Sequence, residues 1–355
     1  MKSRLNKFRK ILSEYSIDAM LISNPVNRRY LSGFEGTSGV LLISGTEAIL
    51  VTDFRYLEQA ADQAGHFETR RWQDDLYKSL APIISEAGWE KVGFESRHVV
   101  YSTHQEMIEK LPAELIPVDD AVEKQRMRKG KAEIETMRRG AKVLDRAFKF
   151  ILSIIKPGLP ENELALELEI YLLRQGAEER SFRFIVASGE RGAMPHGTAS
   201  NRIMQEGDLV TIDYGAVFEG YATDMTRTLA LGKADQKQRE IYNLVLEAQQ
   251  EAGRAVKPGM RASDLDAVAR DIIDRAGYAN YFGHGLGHGI GLETHEQPVL
   301  NPLSTTILKP GMTVTVEPGV YIKGWGGVRI EDMACVTAAG AEVFTASSRE
   351  LTIIN

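Results

Sequence analysis

Four acids and one histidine-rich stretch are the residues whose types and spacing could do chemistry. Asp213 and Glu317 each close an otherwise apolar, β-branched run, LVTID and TVTVE. A carboxylate in such a run needs a cation or hydrogen bonds to offset its burial. Each is followed, after a turn, by a second acid. Asp213 leads through Glu219-Gly220 to Asp224, and Glu317 leads through Gly324-Trp325-Gly326 to Glu331. Between the two pairs lies GHGLGHGIGLETH (283–295), with three histidines and a glycine at every second position from 283 to 291. That period is wrong for a helix interior, where each glycine costs about 1 kcal/mol. It suits an extended chain that something approaches closely. If the stretch is extended, His284, Leu286, His288, Ile290 and Leu292 point to one face. Position 290 is Ile, so the spacing misses G-x-G-x-x-G and is no nucleotide fingerprint.

Hairpin parity tests whether each acid pair can meet. In an antiparallel pair, facing residue numbers sum to a constant. Asp213 and Asp224 give an odd sum, which a two- or four-residue loop satisfies, leaving both side chains on one face. Glu317 and Glu331 give an even sum, which a three- or five-residue turn centred on Gly324 satisfies. Arg329, two residues before Glu331, falls on the same face. Four carboxylates converging on one cavity would repel one another and shift their pKa values upward. Two divalent cations balance that charge. Carboxylates suit hard or borderline ions, and His288 is the natural fifth ligand. Two such ions, ~3.5–4 Å apart, acidify a water between them and polarise a carbonyl, so the chemistry expected is metal-assisted hydrolysis.

The rest of the chain must position these groups. Its 355 residues suggest two domains, with 43% hydrophobic and 26% charged residues and a net charge of −6. The mild acidity argues against nucleic acid as a partner. A single cysteine, Cys335, excludes an intramolecular disulfide framework and reads as a buried structural thiol. No run approaches ~18 apolar residues and no signal-peptide core is present, so no membrane span and a cytoplasmic location are expected. Over about the first 120 residues, strand-like runs (DAMLIS, GVLLIS, EAILVTD, KVGFE) alternate with helix-like ones, the pattern of an α/β domain. His66, His98 and His104 in this part read as surface or packing residues. The charged segment from Asp119 to Lys131 marks the boundary, giving domains 1–124 and 125–355. A long helix follows, with Ile134, Met137, Ala141, Leu144 and Phe148 on its apolar stripe.

The second domain repeats itself. IKPGLPENEL (155–164) matches VKPGMRASDL 101 residues later, and GDLVTIDYG (207–215) matches GMTVTVEPG 104 residues later. The repeat sets Asp213 on Glu317. Two related halves about a pseudo-twofold axis, with the site between them, are expected.

The set Asp213, Asp224, His288, Glu317 and Glu331 resembles the two-metal site of the pita-bread metallopeptidases, which include methionine aminopeptidase, aminopeptidase P and prolidase. The resemblance spans about residues 130–355 and rests on PHG (195–197), TIDYGAVFEGYATDMTRT, FGHGLGHGIGLETHE, VTVEPGVYI and GVRIED. The added N-terminal domain is similar to that of the prolidase and aminopeptidase P branch. The intact ligand set argues against creatine hydrolysis. The implied fold is α+β, a pita-bread domain with an internal pseudo-twofold repeat preceded by a smaller α/β domain.

The resemblance also implies roles. Asp213 chelates one metal, Asp224 and Glu331 bridge both, and His288 and Glu317 bind the second. Glu317 handles the proton of the bridging water. His196 and His295 hydrogen-bond the scissile amide and its tetrahedral intermediate, and His284 lies at the substrate pocket. Arg329 holds a substrate carboxylate or steadies Glu331. The implied activity is hydrolysis of the Xaa-Pro bond at the N-terminus of dipeptides or short peptides. The implied ions are two Mn²⁺ or Co²⁺ per subunit, with Zn²⁺ open, and the implied assembly is a homodimer. Methionine-aminopeptidase-like activity and a non-catalytic peptide-binding module are the alternatives. A proline ring fixes the backbone and removes the N–H, so such a pocket needs apolar walls. Phe184, Tyr214 and Tyr221 are candidates for those walls or for the core.

Overall fold

The computed structural model describes residues 2–355, which separate into two compact units, one ending at Arg126 and one starting at Met127. The first unit is built on a mixed six-stranded sheet. From one edge to the other its strands are Glu68–Arg71, Ala48–Thr52, Val40–Ser44, Ala19–Ile22, Lys91–Glu95 and Glu114–Val118. The middle strands are buried along their length, as their continuous apolar runs demand. The charged segment after Asp119 is not an open linker. Its first part is a short helix, Ala121–Arg126, belonging to the first unit. No helix among the described residues is long and apolar enough to cross a membrane.

The second unit carries out its repeat in hydrogen-bonding detail. Each half starts with a helix pair, Lys131–Ile154 with Glu161–Arg174 and Gln236–Ala255 with Ala262–Arg275. Both pairs are joined by Lys-Pro-Gly turns whose glycines, Gly158 and Gly259, take positive φ of 90° and 84°. Gly158 N–H donates to the Met204 carbonyl at 2.8 Å, and Gly259 N–H donates to the Leu308 carbonyl at 2.9 Å. The bridge between Pro160 and Ile203 recurs between Arg261 and Ile307. Each half then forms a hairpin. The first keeps one register from Leu209 opposite Ala230 to Phe218 opposite Tyr221. It closes on a two-residue turn, Glu219-Gly220, with φ of 49° and 77° as a type I′ turn requires. The second keeps one register from Thr313 opposite Cys335 to Ile322 opposite Gly326, and closes on three residues around Gly324. These are the loop lengths that parity allowed.

One buried ion pair ties the halves together. Arg227, on the first hairpin and 1% exposed, donates to Asp332 Oδ1 of the second hairpin at 2.8 Å. Its other donors reach the carbonyls of Thr226, Glu331, Ser347 and Ser348. Burial pushes the Asp332 carboxyl up, but Arg227 and Arg349 outweigh it and hold it below its ordinary value. Cys335 is buried in the second sheet, and burial lifts its thiol to about 11, consistent with an inert structural residue. Replacing Arg227 with Met should destabilise the protein by about 3–5 kcal/mol, because Asp332 loses a buried partner. The readout is a lowered urea midpoint at unchanged slope, and an unshifted midpoint would show the pair to be dispensable.

Candidate metal centre and its cavity

Both hairpins break their ladders where the acids lie, and the freed backbone pins them. Glu317 N–H donates to the Leu286 carbonyl at 2.8 Å, and Glu331 N–H crosses to the first hairpin, donating to the Thr226 carbonyl at 3.1 Å. Asp213 faces Thr226 in the first ladder, and Asp224 lies two residues before Thr226, so all three share a face. The Thr226 hydroxyl donates to Glu331 Oε2 at 2.7 Å. The Thr315 hydroxyl, two residues before Glu317, donates to Glu317 Oε1 at 2.9 Å and accepts from His288 N–H at 3.0 Å. Both threonines follow from the parity that located the acids, but a hydroxyl in a strand is too common a signal to single out.

The histidine-rich stretch departs from a regular strand. Only Gly287–Gly289 is strand, and the register shifts between His288 and Gly289. The five alternate residues therefore do not share one face. His284 and His288 line the cavity, whereas Leu286 and Ile290 are buried in two separate apolar clusters. The glycines serve the neighbouring strands. A Cβ at Gly287 would lie 2.2 Å from the Thr315 carbonyl oxygen, and one at Gly289 would lie 2.2 Å from that of Gln297.

Asp213, Asp224, His288 and Glu317 line a cavity of about 380 Å³ together with His196, His284, His295 and Arg329. His288 Nε2 is 3.2 Å from Glu317 Oε1 and 3.8 Å from Asp224 Oδ2. Its Nδ1 lies 3.0 Å from the Gly289 carbonyl, so Nδ1–H donates there, and Nε2 faces the acids, bonded to Glu317 when protonated and able to ligate a metal once that proton leaves. One donor atom each from Asp224, His288 and Glu331 lies within 4.8 Å of the others. Burial drives the Asp224 carboxyl well up, and Glu331, Asp213 and Glu317 drive it further. Burial, then Glu317 and Asp213, do the same to Glu331. Burial also pushes Glu317 up, but the hydrogen bond and charge of His288 outweigh it and bring it to about 2. His288 is correspondingly raised, its bond to Glu317 overcoming burial.

Asp213 Oδ1, Asp224 Oδ1 and Glu331 Oε1 are buried with no hydrogen-bond partner among the described residues. Buried carboxylate oxygens left bare are costly unless a cation takes them. Three such oxygens beside an imidazole lone pair make a donor set that fits divalent ions.

The remaining residues of the set line the rest of the cavity. The His295 ring lies tilted against that of His288, centroids 4.3 Å apart, and burial, followed by the His288 charge, lowers its pKa, favouring the neutral imidazole. Arg329, 3% exposed, does not reach Glu331. It donates to Asp213 Oδ2 at 2.7 Å, Tyr321 Oη at 2.9 Å, the Pro195 carbonyl at 3.2 Å and Thr226 Oγ1 at 3.2 Å. Through Pro195 it also fixes the segment carrying His196. Tyr321, which lies in the VTVEPGVYI motif but which no spacing singles out, passes this chain on: its hydroxyl lies 2.9 Å from His284 Nε2, and His284 Nδ1 lies 2.8 Å from the Gly285 carbonyl. Both His284 nitrogens are thus engaged. The apolar walls are Phe182, Ile185, Pro195 and Val299. Phe184, Tyr214 and Tyr221 belong elsewhere. Tyr214 follows Asp213 on its strand, points to the opposite sheet face, and donates to the Leu144 carbonyl. Phe184 packs edge-on against Tyr214, and the Tyr221 hydroxyl donates to Glu133.

Residues 135–338 match the model of metallopeptidase family M24, and residues 4–128 match that of the creatinase/prolidase N-terminal domain. The Xaa-Pro dipeptidase of Pyrococcus furiosus is 41% identical over 356 residues, which cover 99% of this chain and 100% of that one. The structure of an Xaa-Pro dipeptidase from Bacillus anthracis, 46% identical, matches over 99% of both chains with a TM-score of 0.98. That of an X-Pro aminopeptidase from Thermotoga maritima, 35% identical, matches over 97% of this chain and 100% of that one with a TM-score of 0.90. The chain belongs to metallopeptidase family M24, as an enzyme of the pita-bread fold with a creatinase/prolidase N-terminal domain ahead of it.

Proposed function

We propose that the chain is a dinuclear Xaa-Pro exopeptidase acting on dipeptides or short peptides. The observation that carries this reading is the set of bare, buried oxygens on Asp213, Asp224 and Glu331 beside His288, at a cavity with apolar walls. The Xaa-Pro relatives, dipeptidases and an aminopeptidase, support it. Asp213, Asp224, His288, Glu317 and Glu331 would hold two divalent ions, Mn²⁺ or Co²⁺ in the first instance. Such ions would polarise the scissile carbonyl and acidify the attacking water.

The chain's own groups divide the remaining work. Glu317, ionised beside the ions, takes the water's proton on a carboxylate oxygen. His295, neutral, donates a hydrogen bond toward the oxygen that gains charge, and His196 holds the scissile amide from the neighbouring wall. Phe182, Ile185, Pro195 and Val299 take the proline ring and exclude water around it. The Tyr321–Arg329 contact holds Asp213 and the His196 segment in place.

Asp224→Ala and Glu331→Ala should each lower kcat/KM on Ala-Pro by at least about a thousandfold. Both should also reduce metal content measured by atomic emission; full activity in either variant would sink the proposal. Ala-Pro, Ala-Pro-Ala and Met-Ala-Ser should be compared after loading with Mn²⁺, Co²⁺ or Zn²⁺. Release of alanine from a proline peptide is expected, whereas cleavage of Met-Ala-Ser alone would point to the methionine-aminopeptidase reading. Metal loading without hydrolysis of any of the three would point to a binding module.

The raised carboxyls also set a pH dependence. Asp224 and Glu331 titrate higher in the folded chain than in the unfolded one. The stability they contribute to chelator-stripped protein is present below the ordinary carboxylate pKa and is lost as pH rises through their raised values. Metal binds the deprotonated groups, so its stabilisation grows over the same window. The Tm difference between metal-loaded and stripped protein should therefore widen with pH, and Asp224→Asn should flatten the trend. A Tm difference independent of pH would contradict it.

A further inference from the structure

We propose that Arg183 reads the free C-terminal carboxylate of the substrate and so selects dipeptides; this rests on the Xaa-Pro exopeptidase reading. Two cationic side chains, Arg183 and Arg329, line the cavity beside its histidines. Arg329 is buried, and its guanidinium is spent on Asp213, Tyr321, Thr226 and the Pro195 carbonyl. Four of its five N–H donors are committed, and the one that remains cannot give a carboxylate the two-point grip a free guanidinium offers.

Arg183 is the opposite case. It lines the same cavity yet is exposed, which places it at the rim. Among the described residues no hydrogen bond or ion pair holds its guanidinium. Its neighbour Arg180, by contrast, is paired with Glu169. The backbone around Arg183 is fixed on both sides. Ser181 N–H donates to the Gly215 carbonyl at 3.0 Å, and the Ser181 hydroxyl donates to the Thr223 carbonyl at 3.0 Å. The Thr294 hydroxyl, next to His295, donates to the Ser181 carbonyl at 3.0 Å. On the far side, Ile185 bridges to Thr198. A fixed backbone with a free guanidinium is a preorganised receptor for a planar anion.

The chemistry of the rest of the cavity identifies the anion. Ions held on its floor would be taken up by the acids, the attacking water and the scissile carbonyl, so the cation left for the substrate's own carboxylate is the one at the rim. Phe182 and Ile185 flank Arg183 in sequence and line the same cavity, so a proline ring seated on them carries its own carboxylate toward the rim. In a dipeptide that carboxylate is free; in a longer peptide it is an amide and forfeits the contact. A second groove of about 170 Å³ begins on the other side of Arg183 and shares Thr198 with the cavity.

The test compares Ala-Pro, Ala-Pro-amide and Ala-Pro-Ala on the metal-loaded full chain, as wild type, Arg183→Ala and Arg183→Lys. Arg183→Ala should raise KM for Ala-Pro by about ten- to a hundredfold, with kcat within about twofold. Turnover of Ala-Pro-amide should be unchanged, which also shows the variant to be folded. Arg183→Lys should restore part of the loss. Equal losses on Ala-Pro and its amide, or no change on Ala-Pro, would overturn the assignment of Arg183 alone. A wild type that cuts none of the three overturns the Xaa-Pro reading, and the role of Arg183 falls with it.

Discussion

Like charge gathered in a dry place is the constraint on which the second unit depends. Two carboxylates ~4 Å apart repel by about 4 kcal/mol even at an effective dielectric of 20. Asp213, Asp224, Glu317 and Glu331 nevertheless share one buried cluster. Arg329 answers part of this for Asp213, His288 for Glu317, and the Thr226 hydroxyl for one oxygen of Glu331. What remains is a bare oxygen on each of Asp213, Asp224 and Glu331, a donor set that fits divalent cations.

A cluster under such repulsion must be held by rigid elements, and the internal repeat supplies them. Each hairpin contributes two acids at the point where its ladder breaks. The break is not a loss of hydrogen bonding. The amides of Glu317 and Glu331 are redirected to Leu286 and Thr226, which fastens the second hairpin to the glycine stretch and to the first hairpin. Arg227 and Asp332 lock the same junction from behind. The halves differ where the chemistry needs them to. Only the second half brings an imidazole into the cluster, His288, on a stretch whose glycines let strands close in from both sides.

Around the metal site, one chain of hydrogen bonds orders the cavity wall. Arg329 donates to the Tyr321 oxygen, the Tyr321 hydroxyl donates to His284, and His284 donates to the Gly285 carbonyl. Burial lifts the Tyr321 hydroxyl to about 12, so it stays a donor. The apolar residues that line the cavity, Phe182, Ile185, Pro195 and Val299, lie on segments bordering this wall. The single rim cation, Arg183, stands outside it with its guanidinium uncommitted.

Much of this was legible in the chain itself, because strand geometry has an integer period. Parity placed Asp213 with Asp224 and Glu317 with Glu331 on common faces, and it set the loop lengths later found at Glu219-Gly220 and around Gly324. The repeat was visible because both halves reuse the same turn glycines in the same positive-φ conformation. Parity gave out in the glycine stretch. A register shift after His288, imposed by contacts with two neighbouring strands, sends Leu286 and Ile290 into different apolar clusters. Which aromatic rings line the cavity, that Arg329 turns to Asp213 and not Glu331, and that Tyr321 joins it to His284 were decided only by the tertiary structure. Those contacts join residues from 8 to 134 positions apart. Periodicity says which way a side chain faces along its own strand, but not which distant group meets it there.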